Sequence, residues 1–359
     1  MTVDVASIRR HFPYLSSCVY LNTASVGLAW NGLGSAAARF FDEPKALGVD
    51  GRDAWQAEVV RCQAALGRLL RVGAGEVSFA SSATEALNRV AQSVRLEPGD
   101  QVIFAEDEFP SIVLAWSARA ASGAEIVRVP IRAESARTEA LLDAICARTR
   151  ILCVSNVHWC TGTRVDLNRL AEKCRAHGAK LIVDGVQAVG AIDVDASVAD
   201  MYIASVFKWL LSGFGVAFVV TKEEFAAELT PAIRGYGNEP PSCDLQYAHL
   251  NYPGIYALSA SLDFLENIGW QSIYQRVAQL SDLAHAQLSH RGWCVATPLA
   301  ARAGIVSIVH PYAMQIVAAL NGQGVRVEER AGLVRASPHF YNTESEVLRF
   351  VEALGSPAP

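Results

Sequence analysis

Apolar residues recur along this chain at two spacings that take turns. Ala86, Leu87, Val90, Ala91 and Val94 lie at helical intervals and predict a helix over 84–94. The Ala-rich stretch around 55–70 reads the same way, and the short apolar run 76–80 between them predicts a strand. Pro98-Gly99-Asp100 marks a turn. Beyond it the pattern predicts a strand over 101–105, a helix over 111–121 and strands over 125–129 and 151–155. Asp166 offers a cap to a helix over 167–177, which Gly178 ends. Short apolar runs at 180–183, 201–204 and 215–220 predict three more strands.

Strands separated by helices predict an α/β fold, a mostly parallel sheet with helices on its faces. In such sheets ligands gather beyond the carboxyl ends of the strands. From Gly254 the texture changes. A long helical region over 255–289 precedes a strand at 304–309, a helix at 313–321, a strand–turn–strand through 325–336 and a last helix at 344–354. The expected organisation is a large domain over 15–253 and a smaller α+β domain over 254–359, with residues 1–14 packing on the latter.

Composition narrows the class. Of 359 residues 51% are hydrophobic and 19% charged, below the roughly 25% of ordinary soluble proteins, which excludes a disordered chain. The net charge is -5, and no basic run with interleaved aromatics occurs, so nucleic acid is not an expected partner. The N-terminal stretch lacks the apolar core of a signal peptide. The charge-free run 209–221 is shorter than the about 20 residues that span a bilayer. A cytoplasmic protein without membrane contact is expected. The eight cysteines form no CxxC pair and are expected to be reduced and mostly buried.

Only five of the 31 basic residues are lysines: Lys45, Lys173, Lys180, Lys208 and Lys222. Four sit beside charged, helix-end or turn-like sequence, as solvated lysines do. Lys208 lies in Val206-Phe207-Lys208-Trp209-Leu210, where burial opposes its cationic form and favours the neutral amine a Schiff base needs. Upstream, Asp184 ends the strand Leu181-Ile182-Val183, and Gln187 follows three residues on. Pyridoxal phosphate chemistry requires a lysine of this kind, an acid to keep the pyridine nitrogen protonated, and a phosphate cradle. Ser82-Ala83-Thr84, between a predicted strand and a helix start, can supply the cradle from backbone N–H groups.

Taken together, SSATEALN, SNV, DGVQAVG, SVFKWL and VRASPHFYNT resemble the fold-type I pyridoxal-phosphate enzymes of aminotransferase class V, over nearly the whole chain. That group includes cysteine desulfurases, selenocysteine lyases, kynureninases, isopenicillin N epimerases and hercynylcysteine sulfoxide lyases. The resemblance implies pyridoxal 5'-phosphate as cofactor, with Lys208 as Schiff-base lysine and proton carrier and Asp184 pairing with the pyridinium nitrogen. It implies Gln187 and Asn156 near the cofactor's phenolic oxygen, and Ser205, Ser82, Ala83 and Thr84 at its phosphate. Arg335 matches the arginine that clamps the substrate α-carboxylate, a role suited to a planar two-pronged donor. Asn22 and His158 are implied substrate contacts, and no metal is expected. A homodimer with its active site near the interface is implied, with a phosphate contact from the second subunit near Asn251-Tyr252-Pro253-Gly254, although the usual threonine is missing there.

Two departures bear on the reaction. Phe109 stands where desulfurases place a stacking histidine; a phenylalanine can stack but cannot exchange a proton. Phe207 likewise replaces a histidine often found before the lysine. The interval 325–334, where desulfurases carry a nucleophilic cysteine, has none. The expected reaction is β-elimination from a cysteine-derived amino acid, a C–S lyase, with transamination or epimerisation as the alternative and persulfide-forming desulfuration disfavoured. A nicotinamide dehydrogenase would need G-x-G-x-x-G; Gly73-Ala74-Gly75 and Gly213-Phe214-Gly215 each begin that pattern and fail at its third glycine. A catalytically retired scaffold is opposed by the intact set Asp184, Gln187, Lys208 and Arg335.

Overall fold

The computed structural model describes residues 4–240 and 244–355; Cys243, residues 1–3 of the N-terminal segment and the last four residues of the smaller predicted domain lie outside them. The first strand, β1 (Val19–Tyr20), leads into helices Leu33–Leu47 and Arg52–Leu70. Then come the strands of the main sheet: β2 (Val77–Ala80), β3 (Gln101–Ala105), β4 (Glu125–Val129), β5 (Thr149–Ser155), β6 (Lys180–Asp184), β7 (Met201–Ser205) and β8 (Ala217–Thr221). They lie in the order β2-β8-β7-β6-β5-β3-β4. All neighbours are parallel except those of β8, which runs against both β2 and β7. The reversal follows from the chain: no helix separates β7 from β8 to carry the chain back across the sheet, as a parallel connection requires.

The central strands are apolar throughout because both faces are covered. Ile103, Leu152, Val154, Leu181 and Val183 join one core, and Val102, Phe104, Ile151, Cys153 and Ile182 join the other. This odd–even alternation is the strand period of two with both sides buried. Each such side chain contributes about 1.5–3 kcal/mol when fully buried, so the sheet is a stiff base for whatever its edge displays. Register sets that edge. Ser155 pairs with Asp184, and Asp184 with Ile203, so β5, β6 and β7 end side by side.

Part of the remainder forms a third core, while the helix Tyr252–Ile268 packs into the core that holds Ile103 and Leu152 through Ile255, Leu258, Leu262 and Leu265. The helical region predicted as one piece over 255–289 is two helices, Tyr252–Ile268 and Trp270–His290, divided at Gly269. A small sheet holds β9 (Val306–Val309), while β10 (Val325–Arg326) crosses back to pair in parallel with β1. The hairpin β11 (Glu328–Arg330) and β12 (Leu333–Ala336) completes the small sheet in the order β11-β12-β9. Its turn residues Ala331 and Gly332 both have positive φ, 49° and 78°, the backbone that a two-residue hairpin turn demands. Near the N-terminus, Phe12 packs on Phe264, Phe340 and Tyr341, and Arg9 pairs with Glu346 at 2.9 Å. Among the described residues, no helix is long and apolar enough to cross a membrane.

The segment after β1 lies against the loop that follows β7. Gly27 donates its N–H to Phe207 O at 3.0 Å. A Cβ at this position would stand 2.0 Å from the backbone oxygen of Lys208, so only glycine allows this approach. Replacing Gly27 with Ala is expected to cost about 1–3 kcal/mol through overpacking. The thermal midpoint should fall; an unchanged midpoint would contradict this packing.

Candidate active site

Lys208 sits on the loop beyond β7, walled by apolar side chains. Its Nζ is 5.5 Å from the Phe207 ring centre and 5.8 Å from that of Phe109. Burial lowers its pKa to about 8; the positive charge of Arg335 pushes the same way, and Asp184 offsets part of the shift. Asp184, at the end of β6, is 6% exposed. Burial raises its pKa, while the Val186 N–H that it accepts at 2.9 Å and the nearby Lys208 pull it back down. Both groups of the pair are thus driven toward their neutral forms, because desolvation exceeds their mutual attraction.

The helix Ala83–Ser93 begins beside the end of β7. Ser82 caps it by accepting from Glu85 N at 3.1 Å. Ser205 Oγ accepts from Ala83 N at 2.9 Å, and Thr84 Oγ1 bonds Ser111 Oγ at 2.7 Å. The four residues expected at a phosphate therefore meet at one helix N-terminus, where N–H groups and the helix dipole favour an anion.

Gln187 and Asn156 are buried at the same edge. Gln187 donates from Nε2 to Ala24 O at 3.0 Å, and its Oε1 accepts from Trp209 Nε1 at 2.9 Å. That leaves one further N–H on its amide. Asn156 Oδ1 accepts from Tyr202 OH at 2.9 Å.

Arg335, on β12, is 2% exposed. Its guanidinium donates to Trp159 O at 2.7 Å and to Ser25 Oγ at 2.6 Å, and Ser25 in turn donates to Asn22 Oδ1 at 2.8 Å. Glu328 Oε2 lies 3.3 Å from the same guanidinium. Burial lowers the Arg335 pKa to about 10, against the pull of Glu328. Its Nε is buried and has no partner. A buried donor left unpaired costs about 1–3 kcal/mol, which a ligand carboxylate would recover.

The loop after β3 supplies the aromatic side. Phe109 is a little over one-third exposed and meets Trp159 edge-on at 5.6 Å. Beneath it, Arg137 is 1% exposed and bonds both Asp107 and Glu134. His158 has both ring nitrogens engaged, Nδ1 with Thr161 Oγ1 at 2.9 Å and Nε2 with Asp107 O at 3.1 Å. Burial and the Arg137 charge lower its pKa. His158 was expected to touch substrate; here it ties this loop to the one carrying Asn156. Asp107, Glu134 and His158 lie close enough to hold a metal ion, but Arg137 already pairs with both carboxylates.

One sequence expectation changes. Lys180 is not a solvated lysine: it pairs with Glu228 at 2.6 Å and lies over the Phe225 ring. Most of the described cysteines are buried, as expected, Cys146 and Cys294 being the exceptions. Three site residues were not singled out from sequence. Ser25 lay in a segment noted only as a whole, Trp209 was read only as an apolar neighbour, and Glu328 lay in an interval read only for its missing cysteine.

The residues fit pyridoxal phosphate. A buried amine inclined to neutrality, a buried acid, an aromatic platform and an anion-accepting helix start converge, and an orphaned arginine N–H awaits a carboxylate. Comparison with known proteins agrees. The chain is 29% identical to the isopenicillin N epimerase of Amycolatopsis lactamdurans over 320 residues, covering 77% of this chain and 79% of that one. It is 28% identical to a cysteine desulfurase of Salmonella agona over 404 residues, covering 99% and 98%. Its fold matches that of the cystine C–S lyase C-DES, solved in complex with its reaction product cysteine persulfide, with a TM-score of 0.90, 21% identity and coverage of 97% and 100%. The description aminotransferase class-V matches residues 53–350. The chain therefore belongs to the aminotransferase class-V family and is a fold-type I, pyridoxal-phosphate-dependent enzyme.

Proposed function

We propose that this enzyme is a C–S lyase that eliminates a sulfur leaving group from the β-carbon of a cysteine-derived amino acid. The carrying observation is the hairpin beside Arg335. It turns tightly at Ala331-Gly332 and bears no cysteine. The thiol against it, Cys160, is 2% exposed, donates to Arg330 O at 3.1 Å and has its pKa pushed up by burial to about 11. Such a thiol is a poor nucleophile, so nothing here is built to take sulfur from the substrate, and the leaving group departs to solvent. The fold neighbour that acts on cystine supports the same reading.

Bound pyridoxal phosphate supplies an electron sink for the charge left when the α-proton departs. This chain's residues do the rest. Arg335, steadied by Ser25 and Trp159 O, holds the α-carboxylate and orients the Cα–H toward Lys208. The Lys208 amine takes that proton. Asp184 is placed to pair with the ring nitrogen, and Ser205, Ser82, Ala83 and Thr84 to hold the phosphate. Loss of the thiolate from Cβ leaves 2-aminoacrylate, which water converts to pyruvate and ammonia. Inversion at Cα calls for a second acid–base group on the opposite face. Phe109 carries no proton, and His158 is engaged at both nitrogens, which favours elimination over epimerisation. A homodimer is part of the proposal: Phe214 is two-thirds exposed and stacks at 4.4 Å on Phe207 beside Lys208, an apolar rim suited to a second copy.

Incubation with S-substituted cysteines, cystine and ordinary amino acids tests the reading. Pyruvate and ammonia in equal amounts from the sulfur compounds are expected; a keto acid that forms only with an amino acceptor would overturn it. Lys208→Ala is expected to lower kcat at least about 10³-fold, the scale of a lost general base, and to abolish the lysine-linked absorbance of the cofactor. Arg335→Met should raise KM about 10–100-fold, the loss of a charge-assisted hydrogen bond worth about 1.5–3 kcal/mol. Because only the neutral amine captures the aldehyde, the rate at which apoprotein takes up pyridoxal phosphate should climb with pH through about 8 and then level. A climb continuing toward pH 10.5 would show an unperturbed lysine.

A further inference from the structure

His339, in the segment VRASPHFYNT, is completely buried. Its Nδ1 accepts from Phe340 N–H at 2.9 Å, so the ring proton sits on Nε2, which donates to Trp209 O at 3.0 Å. Burial lowers its pKa to about 3, so this neutral form persists across the neutral range of pH. Trp209 follows Lys208 in the chain and is buried as well. Its ring meets the His339 ring edge-on at 5.3 Å. A Cβ at Gly304 would stand 2.5 Å from Trp209 Cη2, so glycine there makes room for the indole. Backbone and ring of Trp209 are thus both held from outside the lysine loop.

Trp209 in turn decides which way Gln187 points its amide. An indole N–H only donates, and a backbone carbonyl only accepts. The Gln187 atom that faces Trp209 Nε1, at 2.9 Å, is therefore its oxygen, and the one that faces Ala24 O, at 3.0 Å, is its nitrogen. Turning the amide over would break two buried hydrogen bonds and set like groups face to face. Ala24 takes one N–H of that nitrogen, and the second is left for a ligand.

We propose that Trp209 and His339 are positioning residues for the cofactor: His339 holds Trp209, and Trp209 locks the Gln187 amide so that it offers an N–H, and not its carbonyl, to the cofactor's phenolic oxygen. The proposal rests on Gln187 standing beside that oxygen and is independent of which amino acid reacts. The choice of group matters because the oxygen carries negative charge, which a donor stabilises and a carbonyl repels. The oxygen is most negative once the proton of the lysine–cofactor link has left, so a donor there lowers the pKa of the link.

The test is a spectral pH titration of the holoenzyme without substrate, following the lysine-linked absorbance. Gln187→Leu and Trp209→Phe are each expected to raise the pKa of the link by about one unit or more, the weight of one hydrogen bond to a charged group. Trp209→Phe added to Gln187→Leu should raise it no further. His339→Leu should raise it too, and His339→Gln, which keeps a donor, should restore most of the original value. Asp184, Arg335, Glu328 and Arg330, whose charges act on Lys208, are the same in all these proteins. If Trp209→Phe does not fold, Trp209 replaced by 3-benzothienylalanine, which keeps the indole shape with sulfur in place of N–H, decides: a raised pKa supports the lock and an unmoved one refutes it. A shift with Gln187→Leu and none with Trp209→Phe overturns the lock and leaves Gln187 at the cofactor. Shifts that add in the double variant overturn it as well, since Trp209 then acts by another route. No shift with Gln187→Leu removes the premise and the proposal with it.

Discussion

Burying an amine is the constraint around which this molecule is arranged. Lys208 stands between two aromatic rings, with Arg335 adding repulsion and Asp184 the foremost attracting charge. Water would keep such an amine charged well into the alkaline range; the fold removes the water and so brings its pKa down to about 8. That requires rigid walls. The sheet provides them, since β5, β6 and β7 are buried on both faces, with Ser155 opposite Asp184 and Ser205 two residues past the Asp184 partner Ile203, all at one end of the sheet. The close seat of Gly27 on the lysine loop closes the same pocket from the other side.

The substrate end of the site depends on contacts between distant parts of the chain. The Arg335 to Ser25 hydrogen bond joins residues 310 positions apart. It exists because Asn22 bridges to Ser337 in parallel, and because β1 and β10 pair, bringing the N-terminal segment beside β12. The Ala331-Gly332 turn then sets the hairpin register that puts Glu328 opposite Arg335. One residue of slip would send Glu328 to the other face. Charge arrangement at the mouth is thus a consequence of turn geometry.

Much of the scaffold was legible from periodicity. The bounds read for β3 and β4 match those observed, because short apolar runs between turn residues leave little freedom. The helix Leu33–Leu47 was not predicted, although Leu33, Ala36, Ala37, Phe40 and Leu47 recur along it at helical spacing; Pro44, which reads as a helix breaker, lies inside it. Part of the helical region 255–289 was misread as continuous, because Gly269 interrupts two segments that both carry helical spacing. At the site, Asp184 and Lys208 were readable since each stands against apolar neighbours in sequence. His158 was harder. Its partners are Thr161 on its own loop and Asp107 from a distant one, and together they decide that its nitrogens are already bound.

By itself the sequence determined the class of chemistry. A lone lysine in an apolar run, an acid at a strand end and a hydroxyl-rich helix start are local features whose physics does not need the rest of the fold. It also determined, by omission, that no cysteine occupies the hairpin near Arg335. Only the tertiary structure decided how these groups are tuned and what surrounds the substrate. Desolvation of Lys208 and the seating of Arg335 against Ser25 and Trp159 arise from packing between segments far apart in the chain, and the row from Arg335 through Glu328 to Arg330 from the register of the hairpin. Burial and long-range register are properties of the folded chain, and no local spacing encodes them.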